Sequence, residues 1–148
     1  MLKKPLDRLA CRPAELAAML TLPGWSTTAR DITNRCAMRS CAYIRPTLRC
    51  VLILDGDWQD LMPGGREHRA QPDDTGREVV ARFFRDRDRI NFREIGYVLG
   101  VTHRSVHGWA VSGVVPYDED RRGRFMTPES FRQWVLDMRV PTRWEIMQ

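Results

Sequence analysis

The feature that most constrains this chain is the spacing of apolar residues between Asn91 and Val111. Phe92, Ile95 and Leu99 recur at helical intervals along one side of a short segment. Gly100 follows at once, and glycine takes the positive φ of a tight turn without steric cost. Val101 begins the next element as a buried plug. Thr102 then caps a second helix, on which Val106 and Trp109 face inward, while Gly96 is small where the two helices would cross closely. The pattern predicts two short amphipathic helices joined by a tight turn.

Ser112 and Gly113 end the second helix. Val114, Val115 and Tyr117 then read as a strand, Arg121 to Arg124 as a turn, and Phe125 and Met126 as a return strand. Thr127 and Pro128 supply an N-cap and a first-turn proline for a closing helix, whose Phe131, Trp134, Val135 and Met138 share one face. The segment from Phe92 to Val111 resembles the helix-turn-helix family. With the hairpin and closing helix, the region from Asn91 to Arg139 resembles the winged DNA-binding domains of excisionases and the MerR-like group. It departs from them in Asp118, Glu119 and Asp120, which would repel phosphates. Only the side of the hairpin carrying Arg121, Arg122 and Arg124 then suits DNA.

The N-terminal half has a similar order. Pro13 opens a helix with Leu16, Ala17 and Leu20 inward; Leu22, Pro23 and Gly24 make a longer turn; Ser26 or Thr27 caps a helix containing Ile32. A strand from Ala42 to Ile44, a turn from Arg45 to Thr47, a strand from Leu48 to Leu54 and a short helix from Asp55 through Trp58 and Leu61 follow. The segment LPGWSTTARDITNR resembles the extended-turn helix-turn-helix of Mu-type phage repressors and transposases. Residues 1–62 read either as a second winged module or as a dimerisation or partner-binding domain. The segment 63–76, rich in Gly, Pro and charge, reads as a linker, and 77–148 as the DNA-binding domain, opened by a helix from Arg77 to Arg87 with Val79, Val80, Phe83 and Phe84 on one face. The fold class expected is mainly α with short β-hairpin wings, a winged helix-turn-helix present once or in tandem.

Composition narrows the function. A formal net charge of +5 favours a polyanionic partner, and every basic residue except Lys3 and Lys4 is arginine, whose planar fork suits phosphate and guanine. The longest apolar run, Cys50 to Leu54, is strand-sized, far short of the roughly 20 residues that cross a bilayer. The N-terminus lacks the apolar region of a signal peptide, so a cytoplasmic location and no membrane partner are expected. Cys11, Cys36, Cys41 and Cys50 include one CxxxxC pair but no CxxC and no nearby histidine, so buried thiols are expected in preference to structural zinc. No phosphate-binding glycine loop, nucleophile elbow or carboxylate cluster stands out. Neither enzymatic activity nor a metal or other cofactor is expected.

The residues expected to meet DNA follow from the second helix. With Val106 and Trp109 inward, Thr102, His103, Arg104, Ser105, His107 and Gly108 lie on or near its outer face. Arg104 suits a bidentate contact to a guanine edge, His103, Ser105 and His107 suit bases or phosphates, and Thr102 suits a phosphate at the helix N-terminus. Gly108 would permit close approach of the DNA backbone or a neighbouring helix. His103 and His107 are spaced to chelate a metal, but no third ligand is evident. These residues point to a sequence-specific transcriptional regulator of double-stranded DNA, a repressor from a phage or mobile element. Two alternatives stand beside it: an architectural factor similar to an excisionase or small terminase subunit, and a host-defence inhibitor of anti-CRISPR or antirestriction type with a DNA-binding fold. A homodimer, and a host protein partner engaged by the N-terminal half, are the further partners considered.

Overall fold

One order of elements is used twice along the chain. The computed structural model describes residues 9–54, 57–61, 84–85 and 87–146. The first unit runs β1 (Ala10–Cys11), α1 (Pro13–Met19), a small hairpin of β2 (Thr21–Leu22) and β3 (Trp25–Ser26), α2 (Ala29–Ala37), β4 (Tyr43–Thr47), β5 (Cys50–Leu54) and a 3-10 helix (Asp57–Leu61). The second runs β6 (Ile90–Asn91), α3 (Phe92–Leu99), α4 (His103–Val111), β7 (Asp118–Asp120), β8 (Gly123–Met126) and α5 (Pro128–Met138). β9 (Arg139–Val140) and α6 (Arg143–Ile146) close the chain. The protein is thus a mixture of helices and small antiparallel sheets.

The repetition extends to pairing and capping. In each unit the first strand pairs antiparallel with the last: Ala10 with Leu54 and Cys11 with Ile53, then Ile90 with Met126 and Asn91 with Phe125. Sheet order is β1-β5-β4 in one and β6-β8-β7 in the other. Both first helices carry a glutamate that accepts from the backbone N–H of the cap residue, Glu15 from Arg12 at 3.2 Å and Glu94 from Asn91 at 3.4 Å. Both second helices are capped by threonine, Thr28 accepting from the Asp31 N–H and Thr102 from the Ser105 N–H. Four and eight positions after each cap come the buried residues: Leu16 and Leu20, Ile95 and Leu99, Ile32 and Cys36, Val106 and Ala110. That spacing is one helix face.

Two clusters make the core. Cys11 and Ile53 point to one side, where Leu16, Leu20, Ile32, Cys36 and Cys41 gather. Ala10, Leu52 and Leu54 point to the other and join Ile95, Leu99, Val106, Trp109, Phe131 and Trp134 of the C-terminal half. A strand buried on both faces needs no polar alternation, which explains the unbroken Cys50–Leu54 run. The halves are joined further by β9, which pairs with β4 at Tyr43 and Ile44, and by the Leu9 N–H donating to the Val98 carbonyl at 2.7 Å. A buried ion pair adds to this: Arg139 grips both carboxylate oxygens of Asp57, at 2.8 and 3.1 Å, and also reaches Glu145.

Several elements differ from expectation. Thr28, rather than Ser26 or Thr27, caps α2, because the chain between them is still leaving the β2–β3 hairpin. β4 extends through Thr47, past the expected turn at Arg45 to Thr47, and Pro46 is accommodated by an irregular register between Ile44 and Thr47. Val114 and Val115 are not strand: their N–H groups donate to the Trp109 carbonyl and close the end of α4. The outer strand is instead the acidic triplet from Asp118 to Asp120. The segment 63–76 expected as a linker, and most of the helix expected from Arg77 to Arg87, lie outside the described residues; Phe84 is described and fully buried against Phe131.

Candidate nucleic-acid interface

The outer face of α4 is positioned by the packing beneath it. Gly100 ends α3 with φ +73°, and the Val101 N–H returns to the Gly96 carbonyl at 2.8 Å. Gly96 is buried against this turn, and a Cβ there would lie 2.8 Å from the Val101 carbonyl oxygen and 3.1 Å from the His103 nitrogen. Val106 and Trp109 then anchor α4 inward. Trp109 lies 6.4 Å from Trp134, whose indole N–H donates to the Val114 carbonyl at 2.9 Å.

With that side committed, Thr102, His103, Arg104 and Gly108 are exposed, and Ser105 and His107 are half-buried. Thr102 caps the helix, its hydroxyl also within 3.0 Å of the Ser105 hydroxyl, so Ser105 is partly engaged within the turn. Among the described residues no carboxylate pairs with Arg104. A Cβ at Gly108 would meet nothing within 4 Å. No neighbouring helix among the described residues therefore requires glycine there.

A series of ring contacts joins α4 to the β7–β8 hairpin. His107 packs edge-on against Phe92 at 4.8 Å, Phe92 against Tyr117 at 5.8 Å, and the Arg124 guanidinium lies 5.0 Å from the Tyr117 ring. Arg124 is half-buried and 4.0 Å from the Glu119 carboxylate. Arg121 and Arg122 are exposed at the hairpin tip. The structure thus links His107 of α4 to Arg124 of the hairpin through Phe92 and Tyr117, with Arg124 held more closely than Arg121 and Arg122.

The acidic outer strand is partly neutralised from within. Arg89 forms a two-pronged ion pair with Asp120 and stacks 3.7 Å from the Phe125 ring. The Arg89 hydrogen bond, with the Arg122 backbone N–H as a second donor, holds the Asp120 carboxyl below the usual carboxylate range. Sequence reasoning missed Arg89 and Tyr117 in these roles. Their partners lie across the hairpin, where helical periodicity carries no signal.

All four cysteines are free thiols, Cys11, Cys36 and Cys41 in the core cluster of the N-terminal half and Cys50 packed against the cluster shared with the C-terminal half. Cys11, Cys36 and Cys41 are buried and Cys50 half-buried; the hydrogen bond with Cys36 and then burial push the Cys41 thiol far up. Among the described residues no group of three or more histidine, cysteine or acidic side chains is arranged to hold a metal ion. No helix among them is long and apolar enough to cross a membrane. Compared with protein-family models, curated proteins and solved structures, the chain matches none.

Proposed function

We propose that the C-terminal half is a winged helix-turn-helix module that binds double-stranded DNA, with α4 as its recognition helix and the β7–β8 hairpin as its wing. The chain is then a sequence-specific regulator that acts by occupying an operator. The observation that carries this reading is the outer face of α4, where an exposed Arg104 without an acidic partner among the described residues stands one turn from Gly108, itself backed by open space. Glycine inside a helix costs about 1 kcal/mol relative to alanine, and nothing among the described residues asks for it here. A closely approaching phosphate backbone would. The order β6, α3, α4, β7, β8, α5, with Arg121 and Arg122 exposed at the hairpin tip, supports the same reading.

In this arrangement Arg104 reads a base edge, Thr102 and the first turn of α4 meet phosphate, His103 and His107 flank the groove, and Arg121 and Arg122 hold the neighbouring backbone. Selection of bound duplexes from random DNA tests it. An enriched motif, bound with a log affinity that falls linearly with log salt concentration, is the expected result. No enrichment would remove sequence-specific recognition.

A further inference from the structure

The repeated order of elements has a chemical counterpart on the N-terminal half. Arg30 stands two positions after the cap Thr28, as Arg104 stands two after Thr102. Both are exposed on the second helix of their unit. Leu48 and Arg49 occupy the tip of the β4–β5 hairpin, as Arg121 and Arg122 occupy the tip of β7–β8. Between the start of α1, Thr33 of α2 and that hairpin lies an open groove of about 400 Å³, lined by Arg12, Thr33, Arg45, Leu48, Arg49 and Cys50 among others. β9 covers β4 only at Tyr43 and Ile44, so it stops short of Arg45 and the tip.

We infer that the N-terminal half is a second duplex-DNA-binding module, with α2 as its reading helix and Arg45 and Arg49 as its backbone contacts. The inference rests on the reading of the C-terminal half given above and extends it to a chain that grips DNA at two places.

Charge and polarity argue for DNA over a protein partner. Arg30, Arg45 and Arg49 are exposed, and among the described residues no carboxylate pairs with any of them. The carboxylates nearest in sequence to Arg30 are that of its exposed neighbour Asp31 and that of Glu15, which accepts the Arg12 N–H at the start of α1; Asp57, the nearest described acid in sequence to Arg45 and Arg49, is paired with Arg139. The outward positions of α2 are Arg30, Asp31, Thr33, Asn34, Arg35 and Ala37, with Arg35 donating to the Asp60 and Leu61 carbonyls. The helix itself offers none of the large apolar anchors that protein interfaces bury at their centres, the exposed apolar side chains nearby being Met38 at its end and Leu48 at the hairpin tip. Unpaired arginines beside hydrogen-bonding side chains suit phosphates and base edges. Because β1, β4 and β5 share one core with the C-terminal helices, the two binding faces belong to one rigid body, and a single chain then occupies an asymmetric site.

The test uses the full chain and a duplex selected from random DNA, with footprinting and affinity measured over a range of salt. The double variant Arg45→Ala/Arg49→Ala should reduce the log–log salt slope by about 2, since each phosphate contact contributes about 0.9, while the melting temperature stays unchanged. Arg30→Ala should lower affinity about ten- to a hundredfold on the selected duplex and lose protection at one end of the footprint; Arg104→Ala should lose it at the other. If Arg30→Ala and Arg45→Ala/Arg49→Ala bind and protect DNA as the unaltered chain does while Arg104→Ala is defective, the N-terminal inference is overturned and the C-terminal reading stands. If the unaltered chain protects no duplex, both fall.

Discussion

Gly96 lies directly beneath the turn that joins α3 to α4, with the Val101 carbonyl oxygen only 2.8 Å from where a Cβ would be. The opposing atoms are backbone, held by the Val101 N–H returning to the Gly96 carbonyl, so they cannot move aside as a flexible side chain would. Gly96→Ala should therefore destabilise the protein by about 1–3 kcal/mol, the usual cost of overpacking. Denaturant unfolding measures it; an unchanged midpoint would mean that the turn relaxes freely.

Gly108 should behave in the opposite way. Its Cβ position is open, so Gly108→Ala should gain about 0.5–1 kcal/mol of stability from helix propensity. Where the DNA backbone approaches this point, the added methyl group should weaken duplex binding. A variant that is both more stable and a weaker binder is the expected result. Undiminished binding would show that DNA does not come close to residue 108.

Asp57 and Arg139 are both buried, each side chain 4% exposed, and they join the 3-10 helix of the first unit to the strand after α5. Asp57→Ala would leave the guanidinium with Glu145 as its remaining carboxylate partner among the described residues. Breaking a buried pair from one side costs about 3–5 kcal/mol. Replacing both partners with apolar residues should cost much less, and comparison of the single and double variants by chemical unfolding separates a buried charge from mere loss of packing.

Trp109 packs at the junction of α3, α4 and α5, 5% exposed and beside Trp134. Trp109→Ala should cost about 3–5 kcal/mol, with DNA binding lost through unfolding. A variant that melts normally yet fails to bind would mean that the ring meets DNA instead, and that α4 is rotated from the orientation described.

Much of the C-terminal half was legible because each of its helices buries a single face. Phe92, Ile95, Leu99, Val106 and Trp109 announce their inward side by spacing alone, and the outward residues of α4 follow by exclusion. The two-residue strands β6 and β9 were not legible. They are defined by partners far along the chain, Phe125 and Met126 for one and Tyr43 and Ile44 for the other, and carry no period of their own. Val114 and Val115 have strand-like side chains but close a helix, since local hydrogen bonds back to the Trp109 carbonyl, made possible by the positive φ of Gly113, override propensity. The likeness of the two halves was visible only as an order of elements. Their caps are 16 residues apart in the first unit, Arg12 to Thr28, and 11 in the second, Asn91 to Thr102, so the β2–β3 hairpin shifts the positions that alignment by eye would compare.

Whether α4 reads base sequence is decided by Arg104→Ala. Arg104 is exposed and has no role in the core, so the variant should melt with the unaltered chain. Affinity should be measured for the selected duplex and for random duplex at the same salt concentration. A loss of about 1–3 kcal/mol on the selected duplex, with random binding nearly unchanged, is expected, because a base contact carries sequence information and a phosphate contact does not. Equal loss on both duplexes would contradict base reading by Arg104, and no loss on either would remove α4 from the interface.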